Sequence, residues 1–178
     1  WVLIDQTQVN VFGEVTRWRT PGHCEPEYAK NTPYGGTLLH GFHAISLITH
    51  FYKSSELWPE DGRDPLNYGL DKVRILQPII IGDGIKLRSQ ITLLEARPKK
   101  DRGMLLKTQH DIEVQGLEGP AVYAEYLTYW HAVSPRFRQI TLKNAHPKAR
   151  GGRLQRPPTL DGSHINTFRQ ILYRHGLT

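Results

Sequence analysis

The sequence has little cysteine and no long hydrophobic run. Cys24 is the only cysteine among 178 residues, so the chain cannot form an internal disulfide, and we predict a cytoplasmic protein in a reducing compartment. The longest apolar stretch, residues 37–52, is interrupted by His40, Gly41 and His43. A membrane-spanning helix needs about 20 consecutive apolar residues, so we predict no membrane association.

Signals for cofactors, metals and nucleic acid are also missing. No glycine-rich phosphate loop follows a predicted strand, so we predict no nucleotide cofactor. Four histidines lie between residues 23 and 50, but no carboxylate joins them at close helical spacing, so we predict no metal site. The end of the chain is rich in Lys and Arg but carries no interleaved stacking aromatics, which argues against a nucleic-acid partner.

Acidic residues are nearly absent from the end of the chain. Residues 135–178 contain nine Lys or Arg and one carboxylate, Asp161, whereas the preceding residues contain fourteen basic and sixteen acidic side chains. We therefore divide the chain into a globular domain, residues 1–134, and a basic extension, residues 135–178, with a short helix predicted over residues 163–174. Such an extension packs on the domain, stays solvated, or binds a polyanionic or acidic partner.

The apolar pattern predicts a buried helix followed by strands. Residues 40–55 are apolar on most sides of a helix, which is typical of a helix surrounded by other elements. Four later segments alternate apolar and polar residues with the period of a half-exposed strand, around residues 72–75, 85–93, 106–114 and 121–133. A sheet that curls around a helix buries both elements. The sequence therefore predicts an α+β fold with an antiparallel sheet curled around one long buried helix.

An earlier helix is predicted near the start of the chain. Asp5 or Thr7 is a suitable N-cap for it. Its apolar stripe comprises Val9, Val11, Phe12 and Val15. Residues 17–36 are rich in Pro, Gly and charge, so we predict an irregular segment with one helical turn at residues 26–30.

Five short motifs, in a fixed order, carry a resemblance to a known family. They are Phe12-Gly13-Glu14-Val15-Thr16, His23-x-Glu25-Pro26, Gly36-Thr37-Leu38-Leu39-His40-Gly41-Phe42, Asn67-Tyr68-Gly69-Leu70-Asp71-Lys72-Val73-Arg74 and Pro120-Ala121-Val122-Tyr123-Ala124-Glu125-Tyr126. From about residue 4 to residue 133 the chain resembles the MaoC-like, or NodN-like, R-specific enoyl-CoA hydratases. The resemblance implies a hot-dog fold, a dimer, and reversible addition of water to the double bond of an acyl thioester.

The resemblance assigns His23 and Gly41 to the reaction. In that family an Asp and a His flank the double bond, and a backbone N–H at the start of the hot-dog helix polarises the thioester carbonyl. His23 falls on the histidine and Gly41 on the glycine that supplies the N–H. Hydration needs such groups because it transfers protons and places negative charge on the thioester oxygen. Tyr34, and either Ser46 or Thr49, are assigned to substrate binding in the acyl cavity.

The carboxylate of the family is missing from its position. The family's Asp lies five residues before the His, and this position holds Trp18, with Arg17 in place of the usual preceding glycine. An indole N–H only donates a hydrogen bond, but the ring stacks on flat substrates. Trp18 is therefore predicted to bind substrate, and Glu14 or Glu25 is a candidate for a displaced carboxylate.

Three functions fit this pattern. The first is a hydratase or dehydratase of a CoA or carrier-protein thioester, in which His23 works alone or with a displaced carboxylate. The second uses the same cavity for isomerisation or cyclisation of a bulky unsaturated biosynthetic intermediate, since such a reaction needs mainly shape and one polarising donor. The third is a non-catalytic subunit of a hydratase heterodimer. We expect a homodimer or a pseudo-symmetric heterodimer, because the resemblance implies a dimer and an open curled sheet leaves strand edges exposed.

Overall fold

The structure, a computed structural model, describes residues 1–55, 57, 62–101 and 103–132. The whole basic extension, residues 135–178, lies outside these ranges, and with it the helix predicted at residues 163–174. The elements run in the order β1 (Val2–Ile4), α1 (Gln6–Thr16), α2 (Pro21–Cys24), α3 (Pro26–Ala29), α4 (Gly41–Ser46), α5 (Ile48–Ser54), β2 (Gly62–Ile75), β3 (Ile85–Pro98), β4 (Met104–Val114) and β5 (Pro120–Ala132).

One five-stranded sheet contains all the strands, in the order β1-β3-β4-β5-β2. The short β1 pairs antiparallel with β3, with Leu3 opposite Lys86. The α+β class and the antiparallel sheet predicted from the apolar pattern are confirmed. None of the helices in the described ranges is long and apolar enough to cross a membrane.

The chain divides into two compact units. The first comprises Trp1–Phe51, Gly69–Thr92 and Thr108–Tyr126, and the second comprises Tyr52–Tyr68, Leu93–Lys107 and Leu127 onwards. All the predicted site residues belong to the first unit. In the second unit, Trp130 donates its indole N–H to Thr128 Oγ1 at 3.2 Å, and Thr128 donates its hydroxyl to Tyr52 Oη at 3.3 Å. This chain of bonds satisfies polar groups of three buried side chains.

Helix α1 begins at a reciprocal cap. The Asp5 carboxylate accepts from the Gln8 backbone N–H at 2.9 Å, and the Gln8 side chain accepts from the Asp5 N–H at 3.0 Å. The prediction of Asp5 as the N-cap is confirmed. The predicted apolar stripe is wrong at Val11 and Val15, which are exposed, because the face of α1 that turns inwards carries Val9 and Gly13.

Helix α1 ends in a left-handed residue. Arg17 has φ of 57° and donates its N–H to Glu14 O at 3.1 Å, while Trp18 donates its N–H to Gly13 O at 2.9 Å. This pair of bonds is a Schellman motif, which normally places glycine at the left-handed position. Residue 18 therefore has its backbone fixed at the end of α1.

The segment predicted to be irregular contains two short helices. The helical turn predicted near residue 26 is present as α3, but α2 was not predicted. Each begins with a proline, Pro21 or Pro26, at the first helical position, where the missing N–H costs no intrahelical hydrogen bond. One turn of four residues is too short to produce a periodic apolar pattern, so α2 leaves no signal in the sequence.

The buried helix predicted over residues 40–55 consists of α4 and α5, which meet at Leu47. Ser46 donates its hydroxyl to His43 O at 2.7 Å, and Thr49 donates its hydroxyl to Ser46 O at 3.0 Å. Such side-chain bonds to helix carbonyls compete with the regular ladder at this point. Ala44 and Ile48 are buried as predicted, but Phe42, predicted to face the core, is 77 % exposed.

The strands follow the predicted alternation in β4 and depart from it in β2. On β4, Leu106, Ile112 and Val114 are buried on one face, as predicted, and His110 shares that face. Strand β2 begins at Gly62, about ten residues earlier than predicted, and Ile75 at its end is exposed. As an edge strand, β2 has only one neighbouring strand to cover it.

Candidate active site

His23 lies on the one-turn helix α2, with its ring fixed by a backbone carbonyl. Its Nδ1 is 2.8 Å from Leu38 O. Because a carbonyl oxygen only accepts, the bond requires a proton on Nδ1, and the neutral ring therefore carries its lone pair on Nε2. The His23 backbone is held as well, since its carbonyl accepts from Gln6 Nε2 at 2.8 Å.

The partner of His23, Leu38, is itself rigidly placed. Leu38 donates its N–H to Gly22 O at 3.0 Å, so its two backbone groups bind two successive residues of α2. Leu38 also forms an isolated antiparallel bridge with Ile80, and Leu39 donates its N–H to Ile79 O at 2.8 Å. This short extended segment fixes the direction of the His23 ring and leads directly into α4.

His40 packs its ring on the ring of His23. The two centroids are 4.0 Å apart with an interplanar angle of 28°. His40 Nε2 lies 3.2 Å from the Trp18 carbonyl oxygen, so Nε2 carries the proton and Nδ1 the lone pair. Burial lowers the pKa of His40, the Trp18 bond opposes this shift, and the charge of His23 lowers the pKa further.

His43 packs on the other aromatic ring of this region, Phe12. The His43 and Phe12 centroids are 4.6 Å apart with the rings almost parallel, and the Phe12 ring also lies 5.2 Å from that of His40. Burial, and secondarily the charge of His40, lower the pKa of His43. Within the described residues, Nδ1 of His40 and Nδ1 of His43 are buried without a hydrogen-bond partner. Both rings are therefore held in their neutral forms.

Gly41 opens α4 immediately after His40. The His40 carbonyl accepts from the N–H groups of His43 and Ala44, at 2.9 and 3.2 Å. The Gly41 N–H, one position into the helix, has no partner within the helix. A Cβ built on Gly41 would overlap Ile75 Cδ1, so a larger residue here requires Ile75 to move. Glycine at residue 41 therefore allows the Ile75 side chain to lie close to the backbone.

Trp18 and the two candidate carboxylates lie around α2 without bonding to the His23 ring. The Trp18 indole is 63 % exposed, and only its backbone carbonyl contacts His40. Glu14 forms an ion pair with Arg19 in which both side chains are at least half exposed. Glu25 is exposed at the end of α2. In the part of the chain that the structure describes, the His23 ring has no carboxylate partner.

The residues predicted to line the acyl cavity lie on the surface of the first unit. Tyr34 is 48 % exposed in the turn that precedes Leu38. Ser46 and Thr49 are exposed, and both hydroxyls donate to carbonyls of α4. Within the described residues, no hydrogen bond links them to His23 or Gly41, and their role in substrate binding remains a prediction.

Two further side chains near His23 are explained by packing. Cys24 is buried against Gly13, and burial raises the pKa of its thiol, which keeps the sulfur protonated. His40 holds the N-cap position of α4 without a side-chain cap hydrogen bond, and its ring packs on that of His23. Its stacking on His23 was not predicted, because the two rings meet only through tertiary structure.

Comparison with known proteins identifies relatives over most of the described chain. Residues 1–111 match the family described as MaoC like domain. Nodulation protein N of Rhizobium leguminosarum bv. viciae is 30% identical over 129 residues, which cover 72% of this chain and 79% of that protein. The 3-hydroxyacyl-thioester dehydratase Z of Mycobacterium tuberculosis is 30% identical over 133 residues, which cover 74% of this chain and 85% of that protein.

A solved structure shares the fold. The (R)-hydratase from A. caviae involved in PHA biosynthesis superposes with a TM-score of 0.56 at 19% identity, covering 71% of this chain and 89% of that one. The similarity supports the fold alone at this level of identity. It confirms the predicted hot-dog architecture.

Proposed function

Because the chain belongs to the MaoC-like family of hydratases and dehydratases, we propose that it adds water to, or removes water from, the acyl chain of a thioester. A relative with 30% identity is named a 3-hydroxyacyl-thioester dehydratase, which supports a 3-hydroxyacyl or 2-enoyl thioester as the substrate class. The acyl group would be carried by CoA or by an acyl carrier protein.

The observation that carries this proposal is the orientation of His23. Its Nδ1–H donates to the Leu38 carbonyl at 2.8 Å, which leaves the Nε2 lone pair available to a water molecule or a hydroxyl group. An oriented imidazole with a defined tautomer is the usual general base of an enzyme active site. The double attachment of Leu38 to α2 keeps this orientation before substrate binds.

Gly41 supplies the second function that hydration needs. Its N–H begins α4, one residue after the His40 ring that stacks on His23. An N–H without an intrahelical partner can donate to the thioester oxygen, where negative charge develops during the reaction. The space that a side chain of residue 41 would fill holds Ile75 Cδ1, so the thioester oxygen would have to approach along the direction of the Gly41 N–H.

The proton transfers can be assigned to His23 alone. In hydration, the oxygen of water bonds to C3 of the 2-enoyl group while His23 Nε2 takes the proton. The electron pair of the double bond moves onto the thioester oxygen, which Gly41 N–H stabilises. His23 then returns the proton to C2, so that its ring ends neutral and the product is the 3-hydroxyacyl thioester. Dehydration follows the same steps in reverse.

Trp18 gives this mechanism its main restriction. With an indole in the position of the family's carboxylate, the second acid–base group is missing, and such a group typically contributes about 10²–10⁴-fold to a rate. Hydration of a short, simple enoyl thioester should therefore be slow. The exposed indole favours a second candidate function, the isomerisation or cyclisation of a bulky conjugated substrate that stacks on Trp18.

Hydration of crotonyl-CoA tests the proposal. We expect slow hydration by the wild type, none by His23→Gln, and a rate about 10²–10⁴-fold above wild type for Trp18→Asp, because the carboxylate restores the second group. Trp1→Asp is the matched control, since it makes the same change at an exposed indole of the same unit. The assay follows the loss of the conjugated enoyl-thioester absorbance.

The outcomes separate the two candidate functions. If the wild type hydrates crotonyl-CoA rapidly and Trp18→Asp does not increase the rate, another carboxylate already acts as the second acid–base group. The proposal that Trp18 leaves this group missing would then be wrong. No hydration by either protein, across short and long acyl chains, would contradict the hydratase proposal. Turnover of a bulky conjugated thioester without water addition would then favour the isomerase or cyclase.

We also propose that the protein is a homodimer. Strand β2 is an edge of the sheet, and its alternate residues Leu66, Tyr68 and Leu70 are exposed. A long edge strand with exposed apolar side chains is a ready surface for pairing with another chain. A second copy that presents the same strand would cover these residues in both subunits. The basic extension, residues 135–178, remains a proposed docking segment for an acidic carrier protein.

A further inference from the structure

Three groups around His40 belong to different parts of the chain. Its side-chain Nε2–H donates to the carbonyl of Trp18 at the end of α1, its ring stacks on His23 of α2, and its backbone carbonyl receives the first N–H groups of α4. His40 is only 4 % exposed, although it carries two polar nitrogens. One of these, Nδ1, has no partner in the described part of the chain, so its burial has a cost that packing must offset.

We propose that His40 is the positioning residue for His23 and replaces the structural part of the missing carboxylate's role. A histidine needs a second group to hold the plane of its ring, and the bond from Nδ1 to the Leu38 carbonyl fixes only one edge. The face of the ring is fixed by His40, whose own plane is set by the bond to Trp18. This inference rests on the proposed function, because ring placement affects turnover only if His23 exchanges protons.

The stack constrains the charge of both rings. When His23 takes a proton, an imidazolium ion lies 4.0 Å from His40. A second positive charge at that distance would oppose the first, whereas a neutral aromatic face is attractive to a cation. Burial keeps His40 neutral, which suits this role. The charge of His23 lowers the pKa of His40, and the charge of His40 in turn lowers the pKa of His43. Phe12, which does not titrate, packs on His40 from α1.

A competing explanation is that His40 only fills space beside Phe12. His43 gives a matched comparison, because it is also a buried histidine of this region with an unpartnered Nδ1 that packs on Phe12. Among the described contacts, His43 has none with the ring of His23. Equivalent substitutions at His40 and His43 therefore separate a positioning role from simple packing.

The first test uses the wild-type full chain labelled with ¹⁵N in its histidines, without any substrate. At pH 7.5 the ring shifts should show His23 protonated at Nδ1 and His40 protonated at Nε2, with cross-relaxation between the two rings. Protonation of His40 at Nδ1, or on both nitrogens at this pH, would overturn the proposal. This result does not depend on which reaction the protein catalyses.

The second test compares His40→Gln, His40→Phe and His43→Phe after each is checked for native far-UV circular dichroism. We expect His40→Gln to lower kcat by about 10–100-fold with KM little changed, and to move the His23 ring signals towards a mixture of tautomers. His40→Phe retains a flat ring but loses the hydrogen bond to Trp18. Its kcat should therefore lie between those of His40→Gln and the wild type. His43→Phe should retain the wild-type kcat and His23 signals.

The results distinguish failure of this inference from failure of the proposed function. If no thioester is turned over by the wild type, the proposed function fails, and the ring signals of His23 still decide whether His40 positions it. If His40→Gln folds and has the kcat and His23 signals of His43→Phe, the positioning role is wrong. If His40→Gln does not fold, the kcat and His23 signals of His40→Phe, together with the wild-type spectrum, decide whether His40 positions the His23 ring.

Discussion

At the scale of single residues, His110 shows how a buried histidine is kept neutral. It lies fully buried on β4, with Nδ1 3.1 Å from Ser89 Oγ and Nε2 3.1 Å from Thr108 Oγ1. Each hydroxyl both donates and accepts, so the neutral ring is satisfied in either tautomer. Burial lowers the pKa of His110 to about 4.

The lowered pKa predicts that stability falls on acidification. An unfolded histidine titrates near 6.5, so between pH 6.5 and 4 the unfolded chain binds more protons at residue 110 than the folded chain does. From pH 7.5 to 4.5, His110 should remove about 2–3 kcal/mol from the free energy of unfolding. Urea unfolding at the two pH values measures this loss.

His110→Gln provides the comparison, because an amide keeps hydrogen-bonding groups and does not titrate. Its unfolding free energy should depend less steeply on pH than that of the wild type. Some dependence should persist, since burial also lowers the pKa values of His40 and His43, which act in the same direction. Parallel pH dependence in the two proteins would show that residue 110 is not the buried neutral group described here.

At the scale of elements, the end of α1 carries a strained residue next to the site. Arg17 has φ of 57°, a region that costs a residue with a Cβ about 1–2 kcal/mol but is freely accessible to glycine. Arg17→Gly should therefore raise the free energy of unfolding by about 0.5–1 kcal/mol, after the greater freedom of glycine in the unfolded chain is included. Chemical denaturation measures the change.

Lys30→Gly is the matched control for this prediction. Lys30 follows α3 as Arg17 follows α1, but its φ is −56°. Glycine there gains nothing in the folded state and loses more entropy on folding, so Lys30→Gly should lower stability. Equal effects of the two substitutions would show that the left-handed conformation at residue 17 carries no strain.

Much of the element pattern could be predicted because it depends on local sequence. The cap at Asp5 and the buried face of β4, with Ile112 and Val114, follow from side-chain chemistry within a few residues. The exposure of Phe42 and the division of the helix near Leu47 could not be predicted in this way. They depend on which neighbours cover each side of the helix, and periodicity does not report that.

Candidate site residues could be nominated from the sequence, but their geometry could not be predicted from it. The motifs indicated His23, Gly41 and Trp18, whereas the stacking of His40 on His23 joins residues 17 positions apart and needs tertiary structure. The same reason explains why Tyr34, Ser46 and Thr49 could be placed in a cavity only by resemblance. Their hydroxyl groups and exposure carry no local signal for the contacts that they make.

At the scale of the whole molecule, the proposed homodimer predicts a measurable mass. Sedimentation at micromolar concentration should give one species of twice the chain's mass of 20.4 kDa. Replacing Leu70 on β2 with Lys should shift the population towards monomer, because a charge on an exposed edge opposes pairing of two identical strands. A wild type that sediments only as monomer would contradict the proposal.

The attachment of Leu38 to both Gly22 and His23 has an evolutionary consequence. These bonds join the two ends of a loop that runs from His23 to Leu38, and the ring of His23 is held at this junction. The outer part of the loop, residues 31–36, is largely exposed. Lengthening a flexible loop costs little, about 0.6 kcal/mol for each doubling. Insertions and deletions can therefore accumulate in residues 31–36 without turning the imidazole. Descendants of this sequence can reshape the surface around Tyr34 while the ring of His23 keeps its orientation.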